Sequence, residues 1–262
     1  MSELMYIYAH VDVLILVMAR IIACIWFLPL IGETKMPKMA IAGFSLCIAF
    51  SVYFGVDVNV PYYNEASLFS FTVALVKEFT VGIILGFIVK VYFQVLALMG
   101  SLLSMQGGIS MSTVMDPTSG IQSTAVGRIY TLGFTAFFLV SGGYHWVIKT
   151  LVDSFEVIPI NQVIFRADMV KCMIAMMATY FELGLKLALP IIAVIIIIDF
   201  SMGIMAKSVP QINMFVVGIP LKMIVMFMLM IITVQTISEY STIIIEKMVS
   251  TLNEVIQGMG IR

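Results

Sequence analysis

Residues 103–127 read LSMQGGISMSTVMDPTSGIQSTAVG, set between two long apolar runs. Glycines stand at 107, 108, 120 and 127, Asp116-Pro117 is a turn dipeptide, and Ser and Thr fill much of the rest. Glycine tolerates positive φ, and proline fixes φ while removing a donor, so no long helix is expected through this stretch. It is also too apolar for an ordinary solvent loop, because Met105, Ile109, Met111, Val114, Met115, Ile121 and Val126 punctuate it. Lipid cannot satisfy irregular backbone. Two readings stand: backbone that lines a protein cavity, or a connection packed against its own helices.

Working outward, the whole chain has the same apolar character. Of 262 residues 61% are hydrophobic and 11% charged, and the mean hydropathy is +1.10. Soluble domains run to roughly 45–50% apolar and about 25% charged, so lipid or apolar protein must cover most of this surface. A net charge of −1 offers nothing to nucleic acid. Cys24, Cys47 and Cys172 sit in apolar runs without CxxC spacing, as small buried hydrophobes do. HExxH, GxSxG, P-loop and GxGxxG patterns are missing, and His10 and His145 are far apart. No enzyme, metal or cofactor is expected. The N-terminus lacks the basic region and cleavage site of a signal peptide, so the first apolar run is expected to remain in the mature protein.

In chain order the apolar runs cover 13–31, 39–56, 68–103, 128–148, 172–198 and 222–237. The third, as a single helix, would reach about 54 Å against a bilayer core of about 30 Å, so it is either two elements or one helix that leaves the hydrocarbon. Residues 149–171 read as a polar connection, and 209–221, VPQINMFVVGIPL, as a second irregular stretch. In the tail, Ile245, Met248, Val249, Leu252, Ile256 and Met259 recur at spacings of three and four opposite Glu246, Lys247, Asn253 and Glu254. That is an amphipathic helix, expected to dock on a protein partner. Seven charges interrupt the apolar runs: Arg20, Lys77, Glu78, Lys90, Glu182, Lys186 and Lys222. Each costs about 2.5–3.5 kcal/mol at the centre of a lipid-exposed helix. Glu182 and Lys186, four apart with Glu first, are expected to form a buried ion pair. Either the charges line a transport path, or the helices pack on other proteins partly outside the hydrocarbon.

Three stretches then carry a resemblance: MQGGISMSTVMDPTSG at 105–120, SGGYHWVIKTLVDSF at 141–155 and VPQINMFVVGIPLKM at 209–223. Together they resemble the FliR family of flagellar biosynthesis proteins, whose relatives are the T-type export-apparatus proteins of virulence type III secretion systems. The resemblance runs essentially the whole length. It implies an all-α subunit of membrane-associated helical hairpins, placed in a helical ring with FliP-like and FliQ-like subunits and beside an FlhB-like one. The ring would be held largely above the plane of the bacterial cytoplasmic (inner) membrane, at the flagellar basal body, and conduct unfolded export substrates. It implies a FliP-like part over roughly 1–200, with a pore loop at 103–127, and a FliQ-like hairpin with the amphipathic helix over 201–262. It also implies that Gln106 to Gln122 is a pore plug, with Gln106, Gly107, Gly108, Met111, Val114, Met115, Asp116, Pro117, Gly120 and Ile121 as its residues. Pro210, Gln211, Asn213, Gly218 and Pro220 form the family's signature loop. The alternatives are a virulence injectisome subunit and, from another class, a secondary transporter with broken helices.

Overall fold

The structure, a computed structural model, describes residues 11–29, 37–55, 68–110, 125–209 and 213–260. Eight helices and no strand occur among the described residues. They are α1 (Val11–Phe27), α2 (Lys38–Gly55), α3 (Leu68–Gln106), α4 (Ala125–Val140), α5 (Gly143–Val157), α6 (Ala167–Ser208), α7 (Met214–Val234) and α8 (Ile237–Met259). By length and composition α2, α3, α6 and, from Val216, α7 could each cross a membrane. A fifth span is counted if α4 and α5, broken at Ser141-Gly142, are taken together.

The chain forms two compact units. Unit 1 comprises 1–92, 142–177 and 245–262; unit 2 comprises 93–141 and 178–244. Three of the four boundaries fall inside α3, α6 and α8, and the fourth at the Ser141-Gly142 break between α4 and α5. Each unit therefore contains chain from both sides of residue 200, which itself lies within the unbroken α6.

Unit 1 is built on the crossing of α1 with α3. A Cβ placed at Gly82 would land on the Arg20 carbonyl oxygen, with Ala23 Cβ 2.7 Å away. One turn on, a Cβ at Gly86 would come within 2.6 Å of the Cys24 carbonyl oxygen. The missing side chains let two backbones touch, as small residues do where helices pack closely. Around this crossing Leu16, Val17, Ile21, Leu85, Ile88, Leu151 and Phe155 are buried. The amphipathic α8 closes the unit. Its apolar stripe, Met248, Leu252, Val255, Ile256 and Met259, is buried within the chain, and Tyr92 and Thr251 share a hydrogen bond of 2.6 Å. This stripe, expected to dock on a protein partner, packs instead against the protein's own core.

Unit 2 has an aromatic centre. Phe93 meets Phe134 and Phe138 edge-on, with centroids 4.7 and 5.0 Å apart, an arrangement the ring quadrupoles favour. Leu103, Met226, Met230, Ile191 and Ile195 complete this core.

Two expectations change, and one open alternative is decided. The run from Leu68 is one helix of 39 residues, about 58 Å long, with no proline to break it. The connection 149–171 is mostly helical: α5 runs to Val157 and α6 begins at Ala167, leaving 158–166 between them. Val147, Leu151 and Phe155 supply the four-residue apolar spacing that outweighs the polar residues. The second irregular stretch is shorter than expected, because α7 starts at Met214 and runs through Gly218 and Pro220. The carbonyl of Asn213 accepts from Val216 and Val217, which starts the helix at a residue favoured there.

Candidate functional site

The segment between α3 and α4 leaves unit 2 at a well-defined root. α3 ends at Gln106, and the Gly107 N–H donates to the Leu103 carbonyl at 2.7 Å. Gly108 takes φ 82°, a conformation without penalty only for glycine, and the Ser110 N–H then turns back to the Ser104 carbonyl at 3.2 Å. Gly107 is also a packing glycine: a Cβ there would sit 2.5 Å from Met226 Sδ. A Cβ on Gly108 would sit 3.3 Å from Ile219 Cγ2. Above the root the two flanking helices touch, since a Cβ on Gly100 of α3 would land on the Cα of Gly127 in α4. Of the sequence-derived plug, Gln106, Gly107 and Gly108 belong to this root. Met111, Val114, Met115, Asp116, Pro117, Gly120 and Ile121 lie outside the described residues, as do Pro210 and Gln211 of the signature loop. In that loop Asn213 starts α7, Gly218 makes room for Met202 (2.9 Å from a built Cβ to Sδ), and Pro220 lies inside the helix.

The interior charges find separate solutions. Glu182 and Lys186 do pair, with Lys186 Nζ donating to Glu182 Oε1 at 2.5 Å. Their side chains are 58% and 65% exposed, so nothing in this chain buries them. Lys222 forms an ion pair with Asp199 of α6.

The fully buried pair is Arg20 with Glu78, 58 residues apart and both 0% exposed. Arg20 Nε donates to Glu78 Oε2 at 2.7 Å, and Nη2 lies 2.7 Å from the same oxygen. Nη2 also donates to the Ile158 carbonyl at 3.1 Å, while Nη1 donates to the carbonyl and hydroxyl of Ser154 at 3.0 and 3.2 Å. All five guanidinium donors are thereby used. The ring of Phe155 lies 4.2 Å from Arg20 Cζ. Glu78 Oε1 accepts the Asn161 N–H at 2.9 Å. Asn161 sits at φ 64° in the turn closed by Gln162 N–H on the Pro159 carbonyl, a position asparagine tolerates. Arg20 thus caps the final carbonyls of α5, where a cation also suits the helix dipole. Glu78 fixes the turn that leads to α6. Nothing in sequence spacing links Arg20 with Glu78, or Asp199 with Lys222; the signal was only that charges in apolar runs need partners. Among the described residues no three His, Cys, Asp or Glu side chains come together as a metal site.

A family model described as bacterial export proteins, family 1, matches residues 11–248. The chain belongs to this family. It is 29% identical over 257 residues to the flagellar biosynthetic protein FliR of Bacillus subtilis, covering 94% of this chain and 95% of that one. It is 28% identical over 241 residues to the flagellar biosynthetic protein FliR of Escherichia coli, covering 92% and 91%. The secretion system apparatus protein SsaT of Salmonella typhimurium is 26% identical over 157 residues, covering 60% and 61%. The match to these bacterial export proteins therefore takes in both roots of the 106–122 segment, the Arg20–Glu78 pair and the first half of α8.

Proposed function

We propose that this chain is a structural, non-enzymatic subunit of the flagellar type III protein-export gate, in the bacterial cytoplasmic membrane at the flagellar basal body. It assembles with FliP-like and FliQ-like subunits, contacts an FlhB-like one, and helps enclose the channel for unfolded flagellar subunits. Residues 1–200 act as the FliP-like part and 201–262 as the FliQ-like part, and Gln106 to Gln122 seals the resting pore.

The outer surface of α6 carries this reading. At 42 residues the helix is about 63 Å long, twice a bilayer core. Phe181, Leu185, Leu189, Ile196, Ile197 and Phe200 are exposed along it. Glu182, Lys186 and Asp199 interrupt that face, and only twelve residues, about 18 Å, separate Lys186 from Asp199. Lipid cannot cover such a surface without hydrating charges inside hydrocarbon. Neighbouring protein helices supply apolar contact and polar partners together. Coverage above 90% of the FliR proteins of Escherichia coli and Bacillus subtilis, against 61% of SsaT, supports the flagellar over the virulence apparatus. A secondary transporter is expected to carry matched broken helices in two halves, whereas among the described residues α4 with α5 is the one bent pair and α6 and α7 run through Pro190 and Pro220.

The test is expression in membranes with and without FliP-like and FliQ-like subunits. The chain alone is expected to be degraded or to aggregate, and to be recovered intact in a defined complex when the partners are present. A monodisperse, protease-resistant monomer obtained alone would overturn the assembly reading.

A further inference from the structure

We propose that α7 is a clasp that holds both roots of the segment between α3 and α4. Three side chains spaced by seven residues, Ile219, Met226 and Thr233, form one row along α7. The first two grip the upstream root. Met226 is fully buried against Gly107, and Ile219 packs on Gly108 at the residue where the chain turns. Any side chain at Gly107 would meet the Met226 sulfur, so this contact is made to backbone. The third grips the downstream helix. Thr233 Oγ1 lies 3.0 Å from the Tyr130 hydroxyl, and because Thr233 donates to the Met230 carbonyl at 3.1 Å, Tyr130 is the donor between them. The same helix is fastened elsewhere, to α6 through Lys222–Asp199 and through Met202 lying over Gly218. One helix therefore links the two ends of the segment to α6, whose outer face the chain leaves uncovered.

The materials of the clasp suit adjustment. Met226 is unbranched and adapts to small shifts of its neighbour without leaving a void. Gly107 and Gly108 offer the backbone freedom to follow such a shift. A partner that moves α6 or α7 would thus change how firmly Gly107 and Gly108 are held, and with them any seal that the segment forms. That consequence rests on the reading of 106–122 as a plug; the contacts themselves do not.

Hydrogen exchange on the purified complex, followed by mass spectrometry, tests the clasp without using conductance. Met226→Ala and Ile219→Ala are expected to speed exchange of the Gly107 and Ser110 amides by about tenfold, since the first removes buried and the second half-buried packing from the root. Tyr130→Phe, which deletes a single oxygen and should leave folding intact, is expected to loosen the first turns of α4. Exchange in α6 should stay at the parent rate. Root peptides that exchange as in the parent in all three variants would overturn the clasp, and so would uniform acceleration across unit 2. Failure of the plug is read separately, from the conductance of a complex lacking Ser110 to Ser119. A leaky deletion with unchanged roots sinks the clasp alone, whereas loosened roots with a tight deletion sink the plug alone.

Discussion

Replacing Glu78 with glutamine removes one negative charge from a fully buried site. Arg20 and Glu78 are both 0% exposed, so the guanidinium in the variant would stay buried with only neutral acceptors, the Ser154 and Ile158 carbonyls and the Ser154 hydroxyl. Breaking a buried pair from one side costs about 3–5 kcal/mol, because the surviving charge keeps its desolvation penalty. Arg20→Met should cost a similar amount, leaving the carboxylate with the Asn161 N–H as its sole remaining donor in the network. If the two losses added, the Arg20→Met, Glu78→Leu double variant would lose about 6–10 kcal/mol, most of the stability of a typical domain. It should lose far less, because no charge is then stranded. What remains is chiefly the unsatisfied Asn161 N–H, worth about 1–3 kcal/mol. The assay is the thermal unfolding midpoint of the purified assembly for parent, both singles and the double. Each single should fall by roughly 6–20 °C and the double by no more than the milder single. Additive losses would refute the claim that the pair is the buried electrostatic centre of unit 1.

Further outcomes follow from contacts of different kinds. Gly82→Ala places a methyl on the Arg20 carbonyl and must push α1 from α3, costing about 1–3 kcal/mol, whereas Gly43→Ala, with nothing within 4 Å, should gain about 0.5–1 kcal/mol in helix propensity; equal melting shifts would contradict the packing described. Glu182→Lys should lower recovery of the assembled complex, and adding Lys186→Glu should restore part of it. Since an exposed pair yields only about 0.3–0.5 kcal/mol, a large effect reports burial by a partner, and additive losses would show the two residues acting separately.

The fold class was legible because composition and run length leave a helical membrane protein as the only economical reading. The break at Ser141-Gly142, where Gly142 adopts φ 72° before α5, falls at the paired glycines 142 and 143 within the 128–148 run. The extent of α5 was not, because Lys149, Asp153 and Glu156 dilute its apolar spacing and its end is held by Arg20 from a distant helix. Gly107 and Gly108 were read as bending points; they also stand where α7 presses on the backbone, which no sequence period reveals. The amphipathic stripe of α8 was visible in its period, but not whether a partner or the chain's own core would cover it.

A channel wide enough for unfolded protein in an energised membrane must be sealed at rest, and this account assigns the seal to Gln106–Gln122. The direct measurement is the planar-bilayer conductance of the purified complex with and without Ser110 to Ser119, after subunit content is checked. The account predicts that the deleted complex assembles with normal composition and leaks ions while the parent stays closed. A deleted complex of normal composition that remains as tight as the parent would contradict it.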